Sequence, residues 1–218
     1  MSASPAVEPA VAMTREERLV VVASSLGTAF EWYDFFLVGA LASEISRHIF
    51  SGVNPAAAFI FTLLSFAAGF AVRPLGALVF GRLGDLVGRK HTFLVTIVLM
   101  GAATFVIGLL PGYASIGIAA PIIFVVVRMI QGLALGGEYG GAVTYVAEHA
   151  PHGRRGSWTS WIQVTASLGL LLSLGIILTL RNTLGEQAFG EWGWRLPFLF
   201  SIVLLAISVY IRLQLSES

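Results

Sequence analysis

Residues 75–110 read LGALVFGRLGDLVGRKHTFLVTIVLMGAATFVIGLL. An apolar run ends at Phe80. A short polar segment, Gly81 to Thr92, then carries Arg82, Asp85, Arg89 and Lys90, and a second apolar run without a charge extends to Leu110. A helix crossing the ~30 Å hydrocarbon core of a bilayer needs roughly 20 mostly apolar residues. Barrel strands would instead alternate apolar and polar over ~10 residues. Both runs are continuous, so this stretch predicts two membrane helices joined by a tight basic turn, with Gly81, Gly84 and Gly88 permitting the bend.

The whole chain agrees. Its 218 residues are 56% hydrophobic and only 11% charged, against about 25% charged in an ordinary soluble domain. Such a chain cannot cover a water-facing surface, which excludes a soluble enzyme, a nucleic-acid binder and a disordered segment. Without Cys it has no disulfide, thiol catalysis or Cys-based metal site. Six stretches are long and apolar enough to span: Leu19–Ala42, Ala56–Phe80, Thr92–Leu110, Gly117–Val146, Trp158–Leu180 and Arg195–Leu213. The fourth is overlong and is expected to tilt or project beyond the bilayer. The expected fold is an all-α polytopic membrane protein, divided into a polar tail (1–18), a six-span domain (19–213) and a short terminal segment (214–218). No cleaved signal peptide is read before the first span.

Orientation follows from Lys and Arg. Of thirteen in the chain, eight (Arg15, Arg18, Arg82, Arg89, Lys90, Arg154, Arg155, Arg212) fall on one side, three (Arg47, Arg181, Arg195) on the other, and Arg73 and Arg128 within spans. This predicts both termini in the cytoplasm. Trp158 and Trp161 at the inner side, and Trp192 and Trp194 at the outer, are read as interfacial anchors.

Five ionisable residues, Glu31, Asp34, Arg73, Arg128 and Glu138, lie inside or near the ends of apolar spans. A charge at the centre of a membrane helix costs about 2.5–3.5 kcal/mol on insertion scales, so each needs a partner or a wet cavity. Glu31 and Asp34 stand three apart in EWYDF, on one helix face. Two like charges there repel unless one holds a proton or a cation offsets them. Arg128, roughly 15 Å into the fourth span by helical rise, is the candidate cation. Asp34 is the first choice for a proton carrier and Glu31 the second, with Arg128 tuning them; a static ion pair is the competing reading. Arg73 lies roughly 12 Å inside the membrane, before helix-weakening Pro74. It is read as an anion-binding guanidinium or as a partner for a buried acid. Tyr33 and Gln131 join Arg73 and Arg128 as candidate substrate-binding residues. Gly132, Gly136 and Gly140 recur every fourth residue, a stripe that lets another backbone approach closely.

The polar segment has the spacing G-x-x-x-D-x-x-G-R-K and closely resembles the signature loop of the major facilitator superfamily. RMIQGLALGGEYGGA (Arg128 to Ala142) is similar to the fourth-span motif of its proton-linked members, and YVAEHAPHGRRG (Tyr145 to Gly156) to the following loop. With EWYDF and RPLGALVFGRLGD, these segments resemble the metabolite:proton symporter family, whose members carry citrate, 2-oxoglutarate, shikimate, proline or betaine. The resemblance runs from about Leu19 to the C-terminus. It implies six helices as two inverted three-helix repeats, half of a major facilitator fold, with a midplane site at the repeat interface. It implies alternating access and a cytoplasmic latch in which Gly81, Asp85, Gly88, Arg89 and Lys90 work with Glu148, Arg154 and Arg155.

The family has twelve spans. The stretch at hand is expected to be a fragment, a truncated product or a self-associating half. The expected function is proton-coupled symport of a small carboxylate-bearing metabolite across the inner membrane, with the proton gradient as coupling agent and no cofactor. Expected partners are the metabolite, protons, the lipid bilayer, and a C-terminal half or second copy, with no nucleic acid. The alternative is a non-transporting or regulatory six-span subunit. An intramembrane enzyme finds no support: neither G-x-S-G nor H-E-x-x-H occurs, and His48, His91, His149 and His152 fall at loops or span ends.

Overall fold

The computed structural model describes residues 28–30, 32–150 and 155–213; the side chains of residues 89–90, 138–149, 162 and 211–212 lie outside that description. Helical residues 32–40 lead into α1 (Ala42–Ile49), with bonds from Leu41 N to Leu37 O and from Ile45 N to Leu41 O carrying the helix through the junction. There follow α2 (Pro55–Ala71), α3 (Arg73–Val87), α4 (Arg89–Leu109), a single turn α5 (Tyr113–Ile116), α6 (Ala119–His149), α7 (Arg155–Glu191), a 3-10 turn (Gly193–Arg195) and α8 (Leu196–Leu213). Asn54 caps α2, its side chain accepting from Ala57 N at 2.9 Å, with Pro55 in the first turn, where a missing N–H costs nothing.

Five helical segments are long and apolar enough to cross a membrane: Pro55–Val87, His91–Leu109, Ala119–Gly137, Arg155–Glu191 and Gly193–Tyr210. They correspond to the second through sixth predicted spans. Of the first, residues 19–27 and 31 lie outside the described residues. Large apolar side chains such as Leu63, Leu64, Leu75, Leu78, Leu168, Leu171 and Leu178 are exposed on the outside of the bundle, a surface suited to lipid rather than water.

Three sequence expectations need correction. The turn at 81–92 is mostly helix: α3 continues through Gly81 and Gly84 to Val87, and Gly88 alone breaks it, at φ 102°. That left-handed region is open to glycine without a Cβ penalty. The fifth span runs past Leu180 to Glu191, bending at Gly185, where φ is 80°. Two of the four tryptophans read as anchors are core residues. Trp194 is fully buried and Trp158 nearly so, whereas Trp161 and Trp192 are exposed.

Glycines bring the helices into backbone contact. A Cβ added at Gly132 of α6 would meet the carbonyl oxygen of Gly69 on α2, and one at Gly136 would meet that of Arg73. From the other side, a Cβ at Gly76 would meet Leu133 O, and one at Gly69 would stand 3.0 Å from Arg128 O. The stripe on the fourth span thus finds its complement on the second. On α4, Gly101 and Gly108 receive Leu205 and Leu199 of α8, and Gly169 of α7 receives the backbone of Ala29 and Tyr33. Some buried hydroxyls are satisfied within their own helices, as Thr62 donates to Ala58 O at 2.9 Å and Ser65 to Thr62 O at 2.6 Å; in a membrane interior lipid offers no partner in their place.

Further polar ties join helix ends far apart in sequence. Arg181 pairs with Glu44 at 2.7 Å and with Glu186 at 2.9 Å. His48 donates from Nε2 to Gly190 O at 2.8 Å and stacks on Trp194.

The seam yields a prediction. Gly132→Leu should destabilise the protein by about 1–3 kcal/mol through overpacking. Gly175→Ala, where a Cβ meets nothing within 4 Å, should not destabilise it. Thermal unfolding in detergent compares them; equal melting of the two variants would contradict the seam.

Candidate functional site

Asp34, one helical turn after Phe30, turns into the bundle and is 1% exposed. Arg128 reaches it from α6, Nη1 donating to Asp34 Oδ2 at 2.9 Å. The same nitrogen donates to Gln131 Oε1 at 2.6 Å, and Gln131 Nε2 donates to Asp34 Oδ1 at 3.1 Å. Arg128 and Gln131 stand three apart on α6, so one face presents both. The third span closes the cluster. Thr104 Oγ1 lies 3.0 Å from Asp34 Oδ1, accepts from Gln131 Nε2 at 2.8 Å, and lies 3.0 Å from Met100 O, its alternative acceptor. Both carboxylate oxygens therefore have donors, and three helices separated by long stretches of sequence meet at one ion pair. Arg128 is 6% exposed and its guanidinium carbon lies 5.5 Å from the Phe66 ring centroid. Its Nε has no hydrogen-bond partner among the described residues.

Arg73 opens α3 beside Pro74, where the helix loses an N–H donor. It is half-buried, and its guanidinium carbon sits 3.8 Å above the Phe70 ring. It lies on the second span, whose backbone is locked against α6 by the glycine seam. Phe35, Phe66 and Phe70 touch one another, with centroids 4.6, 5.5 and 5.2 Å apart, and Trp32 and Phe36 pack on Phe35.

The structure places the other candidates differently. Tyr33 is fully buried and its hydroxyl donates to Pro197 O at 2.7 Å. It ties the first span to the sixth. Gln131 is 1% exposed and belongs to the ion-pair cluster rather than to an open cavity wall. Glu31 and Arg154 lie outside the described residues, as do the side chains of Arg89, Lys90, Glu138 and Glu148. Of the expected latch members that are described, Asp85 and Arg155 are exposed, Gly81 is helical and Gly88 ends the helix. Thr104 went unnoticed in the sequence. The signal for it is chemical, since a buried carboxylate needs more donors than one guanidinium supplies. Phe66 and Phe70, one turn apart, were missed because aromatic residues in a span read as lipid contacts.

The family model for sugar (and other) transporters matches residues 19–218. The chain belongs to the major facilitator superfamily. It is 42% identical over 201 residues to a proline/betaine transporter of Salmonella typhimurium, covering 92% of this chain and 40% of that one. It is 40% identical over 212 residues to the shikimate transporter of Escherichia coli, covering 97% and 48%. The chain thus spans about half the length of the curated relatives it matches. Among solved structures, the xylose transporter XylE from E. coli, partially occluded and inward open, superposes with a TM-score of 0.82 at 18% identity, over 93% of this chain and 50% of that one. The shared architecture is half of a major facilitator fold, as the sequence resemblance implied. These relatives and structural neighbours are transporters, not enzymes.

The cluster predicts a thermodynamic coupling. Arg128→Gln strands a buried carboxylate and should cost about 3–5 kcal/mol. Adding Asp34→Asn removes the stranded charge and should recover most of that loss. Unfolding in mixed micelles measures the cycle, and a double variant no more stable than Arg128→Gln would show the pair to be uncoupled.

Proposed function

We propose that this chain forms the N-terminal half of a secondary active transporter that couples proton entry to uptake of a small carboxylate-bearing metabolite. The observation that carries the reading is the buried ion pair between Asp34 and Arg128, held between the first, third and fourth spans. Separating the two would leave each charge buried without its counter-charge, so the pair is sensitive to any change in the charge of either member. Protonation neutralises Asp34 and leaves Arg128 without its counter-charge. An anionic substrate then becomes the favoured neighbour of that cation. Proton and substrate thus assist one another through one local charge balance, and the assistance is reciprocal.

Alternating access requires a second bundle facing this one, either a C-terminal half or a second copy. Rocking of the two bundles would change the access and the geometry of the pair. The Lys and Arg asymmetry supports an inner-membrane protein with cytoplasmic termini. In that orientation the 81–92 segment and the loop after the fourth span lie on the cytoplasmic face, where Asp85, Gly88, Arg89, Lys90, Glu148, Arg154 and Arg155 would form the latch. Named relatives that carry proline, betaine or shikimate support a substrate with a carboxylate.

Vesicles containing the full gene product test the reading. Wild type should accumulate at least one of labelled glycine betaine, proline or shikimate when an inward proton gradient is imposed. Asp34→Asn should abolish that accumulation while retaining exchange of internal for external substrate. Wild-type accumulation in Asp34→Asn would place the proton site elsewhere.

A further inference from the structure

Thr92, Thr96, Met100 and Thr104 recur at every fourth residue along one face of α4. By helical rise they span roughly 18 Å, and all four are buried. Thr104 stands at the ion pair, its Oγ1 3.0 Å from Asp34 Oδ1. Thr96 donates to Phe93 O at 3.0 Å and Thr92 to Gly88 O at 3.1 Å. Each of these two hydroxyls commits its proton to the backbone and keeps oxygen lone pairs that can accept from water. Met100 is the apolar rung in a ladder of hydroxyls that leads from Asp34 to the start of α4.

The rung is part of a layer. Phe30, Met100 and Ala134 pack together as one buried group. Phe30 stands one turn before Asp34, Met100 one turn before Thr104, and Ala134 three residues after Gln131. The three helices that meet at the ion pair thus meet again one turn on, towards the end where α4 begins. On the other side of the pair the next layer is Val38, Ile107, Phe124 and Val127, all in the larger core. The two layers differ in stiffness. Val and Ile hold one strongly preferred χ1 in a helix, whereas Met is unbranched with three rotatable bonds and Ala134 is small. They differ also in what lies beyond. Away from the start of α4 the helices read FFLVGALA (35–42), FVIGLL (105–110) and AAPIIFVVV (119–127), without a hydroxyl, amide or charge. Towards it, Thr96 is one turn past Met100 and the buried Thr28 two residues before Phe30.

We propose that Met100, packed between Phe30 and Ala134, is a gate on a hydroxyl-lined proton route between Asp34 and the end of the bundle where α4 begins, the cytoplasmic end in the orientation proposed above. This rests on the transport reading and adds its exit. When the Met100 side chain swings aside, water enters beside Thr104. The O–H bond of protonated Asp34 breaks, its proton passes to that water, and the carboxylate left behind pairs again with Arg128. The hydrated proton leaves past Thr96 and Thr92, whose oxygens accept from the water chain. With the rung in place the chain of water is interrupted, so a proton on Asp34 is not lost to that side. The opposite layer stays closed within this bundle, and arrival of the proton at Asp34 belongs to the alternating-access cycle. A gate held wet would join the two and leak.

The test uses the full gene product in vesicles loaded with a pH-sensitive dye, given an acid step outside under a potassium–valinomycin clamp and no substrate. Wild type should hold the step. Met100→Ser, which completes the ladder, should speed proton entry at least tenfold, and adding Asp34→Asn should return it to the wild-type rate. Val38→Ser, the same kind of change in the opposite layer, should stay near wild type. If Met100→Ser does not fold, Met100→Gln, close in volume and polar at the same rung, takes its place. A folded Met100 variant that holds the step, a leak that survives Asp34→Asn, or an equal leak in Val38→Ser would each overturn the gate. An Asp34-dependent leak in Met100→Ser, with no gradient-driven uptake by wild type, would keep the gate and reject symport.

Discussion

A carbonyl oxygen lodged against a glycine Cα is the contact on which the arrangement of this bundle depends. Lipid chains are as apolar as leucine, so membrane helices gain little by merely hiding apolar surface from one another. They associate through packing, and packing is strongest where backbones touch. Gly69 and Gly76 on the second span, and Gly132 and Gly136 on the fourth, supply four such contacts along one seam. Because Arg73 and Arg128 contribute two of the opposing carbonyls, the seam that holds the helices also sets where the two cations stand.

The polar interior is built on that frame. Arg128 and Gln131 project from one face of α6 and meet Asp34, and Thr104 approaches from α4. A buried ion pair of this kind contributes little net stability, since desolvation offsets the attraction. Its value is that it responds: changing the charge of one partner alters the whole cluster. Donors to both carboxylate oxygens hold the pair in one geometry.

The ends of the helices serve a different purpose. Tyr33 anchors the first span to Pro197, Arg181 joins α7 to Glu44, and His48 stacks on Trp194 while bonding to Gly190. These ties link elements far apart in sequence across one end of the bundle. They favour movement of the bundle as a unit over sliding of single helices.

Composition and the length of the apolar runs determined a great deal: membrane residence, the helical class, the order of the spans, and the placement of Asp34, Arg73 and Arg128 within them. The four-residue spacing of Gly132 and Gly136 announced a close helix contact. These are local properties, because hydropathy and helical period are written within twenty residues. Tertiary structure alone decided the partners. It set Gly69 and Gly76 against the α6 stripe, brought Thr104 to Asp34 across 70 residues, joined Tyr33 to Pro197, buried Trp158 and Trp194 within the bundle, and carried α3 to Val87 through a segment that reads as a turn. Periodicity assigns a residue to a face of its helix. Which other helix lies opposite that face depends on how all the spans pack together, and a single span does not contain that information.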